Sequence, residues 1–89
     1  MPAADRRRTL PRRFGRAIRV RRAALGLTQE ALALDAGLSP KYVGELERGE
    51  KVPTLTSVAA LAKVLGCRAW ELVQDAEEGL RAPRWPLKR

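Results

Sequence analysis

A chain of 89 residues with a net charge of +8 fits one domain with a modest core, so nearly every apolar stripe must be buried and dimerisation could supply part of the missing burial. A single cysteine, Cys67, and no histidine exclude an internal disulfide and leave no ordinary zinc set. No run approaches the ~20 apolar residues of a membrane span and no leader-like segment follows the basic start, so a cytoplasmic protein with no metal, cofactor or membrane partner is expected.

The charge is uneven: residues 1–22 hold nine arginines against one aspartate, residues 81–89 hold four basic groups and no acid, and the middle is nearly neutral. Such ends favour a polyanion, with RNA, an anionic membrane surface or simple solubility as competing uses.

Residues 1–11, with two prolines and Leu10 as a lone large aliphatic, read as a flexible basic arm. A helix is expected from about Arg12 to Leu25, with Phe14, Ala17, Ile18 and Leu25 on one face and Arg13, Arg16 and Arg19 opposite. Thr28 is the N-cap candidate of a second helix, with Leu27 and Leu32 as its staple and Gly37 as its stop. Ser39-Pro40 is a sharper start signal, a capping hydroxyl followed by a proline at the first helical position. From there Val43 and Leu46 can turn inward, and Gly49 closes the third helix. The short link Gly37-Leu38-Ser39 makes the second and third helices a helix-turn-helix unit. Thr54 can cap a fourth helix whose Leu55, Val58, Leu61, Ala62 and Leu65 form an apolar stripe. A fifth is expected from Arg68 or Ala69 to about Glu78, with Leu72 and Val73 inward. Pro83 and Pro86 argue against helix in the basic tail, 79–89, where Trp85 has no assigned place.

The ordered series Phe14-x3-Ile18-Arg19-x2-Arg22, Gly26-Leu27-Thr28-Gln29-Glu30-x-Leu32-Ala33, Gly37-Leu38-Ser39, Tyr42-Val43, Leu46-Glu47-Arg48-Gly49, Pro53-Thr54-Leu55 and Leu65-Gly66 resembles the phage-repressor and Cro type of helix-turn-helix domain. The resemblance runs from about Arg12 to Val73. The short length and the stretch from Tyr42 to Gly49 are also similar to the controller proteins of restriction-modification systems. What the resemblance implies is an all-α fold, a compact five-helix DNA-binding domain over 12–78, acting as a homodimer on a palindromic or pseudo-palindromic operator in double-stranded DNA. It also implies a buried or partly buried ion pair between Arg22 and Glu47, whose positions late in their helices suit a two-bond grip. Two independent surface charges are the alternative.

By the same resemblance the base-reading positions are Pro40, Lys41, Gly44 and Glu45. Lys41 can donate to guanine O6 and N7, and Glu45 can accept from cytosine N4; against this stands a plain surface pair between them at i,i+4 spacing. Pro40 has no donor and Gly44 no side chain, so they offer shape or thymine-methyl contact. Gly44 also suits a close approach of the helix to DNA, or of two helices or subunits to each other, at a propensity cost of ~1 kcal/mol. Phosphate contacts fall to Gln29 and the first-turn N–H groups of its helix, to Thr28, Tyr42, Arg48 and Lys51, and more distantly to Arg19. Arg6, Arg7, Arg8, Arg12 and Arg13 extend the basic footprint, inserted into an A·T-rich minor groove or acting without order. Trp70, Leu72 and Val73, with the end of the fourth helix, are the dimer-interface candidates, and intrachain packing is the other use of Leu72 and Val73. Cys67 reads as a buried hydrophobe. No catalytic constellation is present and an enzyme is not expected. A sequence-specific transcriptional regulator is the leading expectation; its rival is an antitoxin-like or accessory module that binds protein and touches DNA weakly.

Overall fold

The computed structural model describes residues 3–78, with side chains from Thr9 onward. The side chains of Arg6, Arg7 and Arg8 and the whole of 79–89, Trp85 included, lie outside the described residues. The described chain is all helical: α1 (Ala3–Ala24), α2 (Gln29–Ala36), α3 (Pro40–Glu47), α4 (Leu55–Leu65) and α5 (Ala69–Glu78).

Helix α1 starts at Ala3 rather than Arg12, so part of the segment read as an arm is helical. Alanine and arginine are good helix formers, and Pro11, which lies inside α1, removes one bond to the carbonyl a turn before it. The next three helices open alike. Thr28 Oγ1 accepts from the Ala31 N–H at 2.9 Å, Ser39 Oγ from the Tyr42 N–H at 3.0 Å and Thr54 Oγ1 from the Ser57 N–H at 3.0 Å. Each cap is worth ~1 kcal/mol over alanine. Helix α5 has no hydroxyl cap. Glu71 instead reaches back to accept from the Arg68 N–H at 2.8 Å, and its charge suits the positive end of the helix.

Packing follows the apolar stripes. Helix α1 lies against α5 and α3, α2 against α3 and α4, and α4 against α5. Ile18, Leu32, Val43, Leu46, Leu61 and Leu72 are fully buried where these helices meet. Two leucines expected inside are outside: Leu25 is 53% exposed and Leu55 88%. Leu25 follows the last residue of α1, where helical periodicity no longer directs it, and Leu55 is the first residue of α4, one turn before that helix reaches the core. Val73 is also partly out, at 42% exposure, because it stands about 100° round the helix from the buried Leu72. Cys67 packs half-buried against the core, and burial raises its thiol pKa.

The α1–α3 contact is unusually close. A Cβ on Gly15 would fall 2.6 Å from the Glu47 carbonyl oxygen and closer still to that of Leu46. Just beyond α3, Gly49 takes φ +76°, and a Cβ there would meet Arg12 Cγ at 2.5 Å. Two glycines therefore let the middle of α1 cross the C-terminal end of α3 backbone to backbone. Arg21 adds a tie from α1 to α5, its Nε lying 2.9 Å from Asp75 Oδ2. Among the described residues no helix is long and apolar enough to cross a membrane.

Candidate nucleic-acid interface

The crossing at Gly15 brings Arg22, two turns further along α1, to the end of α3. Its Nε and Nη2 donate to the two carboxylate oxygens of Glu47 at 2.6 and 3.0 Å, and its Nη1 donates to the Leu27 carbonyl at 2.8 Å. Gln29 Nε2 completes the cluster by donating to Glu47 Oε1 at 2.9 Å. The Glu47 side chain is 3% exposed and that of Arg22 16%, so this is a partly buried, bidentate pair rather than two surface charges. Hydrogen bonding to Glu47 raises the Arg22 pKa above its ordinary value, against the opposing effect of burial. Three segments, α1, the start of α2 and the end of α3, are thereby tied at one carboxylate.

Gln29 is thus not free in the first turn of α2. One amide hydrogen goes to Glu47, which fixes the side chain and leaves the second amide hydrogen for an outside acceptor. Thr28 is exposed, with its oxygen committed to the cap. The exposed N–H groups of that turn and the positive end of the helix favour an anion there.

On α3, Pro40 and Lys41 are exposed and Glu45 is half-buried. Among the described residues neither Lys41 nor Glu45 takes part in an ion pair or a side-chain hydrogen bond, so the intrahelical pair that could have absorbed both is not formed. Gly44 is buried: a Cβ there would stand 3.1 Å from Arg48 Nη1 and 3.7 Å from Gln29 Oε1. The glycine makes room for the Arg48 guanidinium to lie across α3 toward α2.

Arg48 is held there by Glu50, with Nε to Oε2 at 2.8 Å and Nη2 to Oε1 at 3.2 Å. Both side chains are more than half exposed. The pairing raises the Arg48 pKa and holds the Glu50 carboxyl below its ordinary range, so the pair is charged and closed at neutral pH. Tyr42 is half-buried, its hydroxyl 3.0 Å from Ser57 Oγ, which in turn accepts from Thr54 Oγ1 at 2.9 Å. Lys51 is exposed on the bend between α3 and α4, without a partner among the described residues. Arg19 is brought closer to the interface than its sequence position suggested: with Arg12, Arg16, Val20 and Ala23 of α1 it lines a groove whose other wall is Glu47 and Arg48.

The interface-candidate residues of α5 part company. Leu72 belongs to the core, whereas Trp70 is 60% exposed beside the partly exposed Val73. Sequence reasoning missed Gly15, Ser57 and Arg16. A glycine inside an amphipathic helix was the available signal for the first; nothing local marked Ser57 as the support of Tyr42, because fifteen residues separate them.

A two-helix unit with a clamped second helix, an exposed basic residue at its start and cationic groups around it defines a DNA-binding helix-turn-helix module. Residues 18–69 match the model of the helix-turn-helix family, and the chain belongs to that family of DNA-binding transcriptional regulators. It is 42% identical over 53 residues to the HTH-type transcriptional regulator y4dJ of Sinorhizobium fredii, covering 60% of this chain and 69% of the relative. With the HTH-type regulator YazB of Bacillus subtilis the identity is 41% over 59 residues, 66% of this chain and 86% of the relative. Among solved structures, the clp gene regulator ClgR of Corynebacterium glutamicum superposes with a TM-score of 0.74 at 33% identity, over 78% of this chain and 73% of that one. The restriction-modification controller protein C.AhdI of Aeromonas hydrophila gives 0.68 at 40% identity, over 70% and 94%. The repressor-type resemblance and the five-helix, all-α fold expected from sequence are both borne out.

Proposed function

We propose that the protein regulates transcription as a homodimer on a palindromic or pseudo-palindromic operator, each subunit offering α3 to the major groove. The observation that carries this reading is Lys41: an exposed lysine, spending no hydrogen bond within the protein, at the open end of a helix whose other end is clamped by Arg22, Glu47 and Gln29. Its donors are available to guanine O6 and N7, and Glu45, one turn on, can take the cytosine N4 amine. Pro40 contributes shape or a methyl contact. Gly44 serves by admitting Arg48, not by touching a base. Thr28, Gln29, Tyr42, Arg48, Lys51 and Arg19 then hold phosphates, which set register and affinity without choosing sequence.

Dimerisation is argued from α5, where Trp70 and Val73 leave a large apolar side chain and its neighbour uncovered; an indole gains most from being covered by a partner. Leu72 supports that face from beneath. ClgR is a regulator of clp genes and C.AhdI a restriction-modification controller, which supports gene regulation as the role of this chain. The function proposed is binding and not catalysis.

Selection of genomic DNA fragments by the purified protein at physiological salt tests the reading. A shared two-fold motif should emerge, with half-sites about 34 Å apart or a multiple of it; equal recovery of all fragments refutes sequence specificity. Lys41→Ala should lose about 1–3 kcal/mol at one base position. Uniform weakening across sequences would instead move Lys41 to the phosphates.

A further inference from the structure

The groove between α1 and the end of α3 holds four guanidinium groups, those of Arg12, Arg16, Arg19 and Arg48, and a single carboxylate, Glu47. That carboxylate is already spent: it is 3% exposed and accepts from Arg22 and Gln29. Arg12, Arg16 and Arg19 are exposed and have no hydrogen bond or ion pair of their own among the described residues. Three unpaired cations on one helix face, at spacings of four and three residues, repel each other until an anion lies among them. The fourth, Arg48, is paired only with Glu50, through an exposed contact that a stronger anion can replace.

We infer that α1 carries a second phosphate track, in which Arg12 and Arg16 join Arg19 and Arg48 to grip the backbone of the DNA duplex beside the reading helix. The inference rests on the reading of the protein as a duplex-DNA binder and adds the first helix to its footprint. Continuity argues for duplex backbone as the occupant. Arg48, on the wall facing these arginines, also lies across Gly44 toward Gln29, so the track adjoins the first turn of α2, which favours an anion. Length argues for it too. Arg12 to Arg19 rises about 10 Å along the helix, more than one small anion can span. A small free anion would use one of these arginines; a polyanion uses all of them.

The test is the salt dependence of binding, measured by fluorescence anisotropy with the full chain on the selected operator and on a duplex of random sequence. For Arg12→Gln with Arg16→Gln, the slope of log affinity against log salt should flatten by about 1.8, at roughly 0.9 for each phosphate no longer neutralised. Between about 50 and 200 mM salt the native protein then loses about 12-fold more affinity than the variant. Preference among operator bases stays unchanged. Because the Arg12 stem packs on Gly49, Arg16→Gln alone is the second variant, with an expected flattening of about 0.9 and an unchanged melting temperature. A native slope for the folded variants on both duplexes overturns the inference. So does a native slope accompanied by weakened self-association in sedimentation, which would give the groove to an acidic segment of a second copy. A flattened slope on random duplex with no operator ever selected leaves the track standing and removes the operator reading instead.

Discussion

Truncating Glu47 to alanine should be the most damaging single change to this domain that leaves its hydrophobic core intact. Three hydrogen bonds end on that carboxylate, two from Arg22 and one from Gln29. Without it the Arg22 guanidinium, 16% exposed, keeps only its bond to the Leu27 carbonyl and carries a largely desolvated, unpaired charge. Breaking a buried pair costs about 3–5 kcal/mol, and the residual access of Arg22 to water places this one at the lower end, ~3 kcal/mol. For a domain of this size, at roughly 4–8 °C per kcal/mol, the melting temperature should fall by about 12–24 °C. Urea denaturation gives the same quantity as a shift of midpoint at constant slope. The control is Arg22→Met with Glu47→Leu, which removes both charges and should return to within about 1 kcal/mol of the native protein, since apolar replacement of a buried pair is often neutral. Its DNA affinity should not return, because Gln29 has no acceptor left to hold it. A loss below about 1 kcal/mol for Glu47→Ala, the range of exposed pairs, refutes this account of the clamp, as does a double variant no more stable than the single one.

Gly15→Ala gains up to ~1 kcal/mol of helix propensity but drives a methyl into backbone carbonyls that cannot swing aside; overpacking of about 1–3 kcal/mol, occasionally more, should leave it less stable in thermal melts, and a stabilised variant would contradict the close crossing. Glu50→Gln should tighten DNA binding a few-fold with little change of salt slope, because Arg48 reaches the same phosphate without first giving up a competing partner; unchanged affinity would show that Arg48 stays away from phosphate. The sign with pH is the same: Arg48 holds the Glu50 carboxyl below its ordinary range, so the pair's small stabilising effect is present above that range and is lost as acid protonates Glu50 through its lowered pKa. Trp70→Glu should abolish self-association in sedimentation while the monomer keeps its helical circular dichroism, since the indole is mostly exposed within the chain; a persistent dimer would put the interface elsewhere.

What can be read from sequence is whatever is decided within one or two turns. The caps at Thr28, Ser39 and Thr54 and the stops at Gly37 and Gly49 are local chemistry, and the helices they bound lie where those residues put them. Leu25 and Leu55 mislead because a periodic stripe does not say where its own helix ends or which of its turns reaches the core. Leu72 and Val73 are not separable by pattern alone: adjacent residues on a helix differ by about 100°, and which of them meets α1 and α4 is a matter of packing. The site divides in the same way. Lys41 and the pairing of Arg22 with Glu47 come from the resemblance to repressor-type domains, whereas the burial of Gly44 under Arg48, the anchoring of Tyr42 by Ser57 and the grouping of Arg12, Arg16 and Arg19 with Arg48 depend on contacts that neither the resemblance nor the local pattern supplied.

Those contacts also decide how much specificity one subunit can hold. Helix α3 has eight residues, too few to be stable alone, and its orientation is imported from groups that face the rest of the domain: Val43 and Leu46 in the core, Gly15 against its last carbonyls, Glu47 in the clamp. On the proposed reading, Arg48 covers Gly44 and proline offers no donor, which leaves Lys41 and Glu45 as the α3 side chains proposed to distinguish bases by hydrogen bonds. Two such contacts at about 1–3 kcal/mol each amount to roughly 2–6 kcal/mol per subunit, at or below the lower part of the ~4–10 kcal/mol by which specific binding exceeds non-specific. Doubling the readers on a two-fold operator brings the sum into that range. On the proposed reading, then, the uncovered Trp70 face is part of the recognition mechanism: a subunit kept monomeric by Trp70→Glu should retain its salt-dependent hold on duplex DNA but lose most of its preference for the operator over random sequence. A monomer that still discriminates by more than about 6 kcal/mol would mean that further groups read the bases.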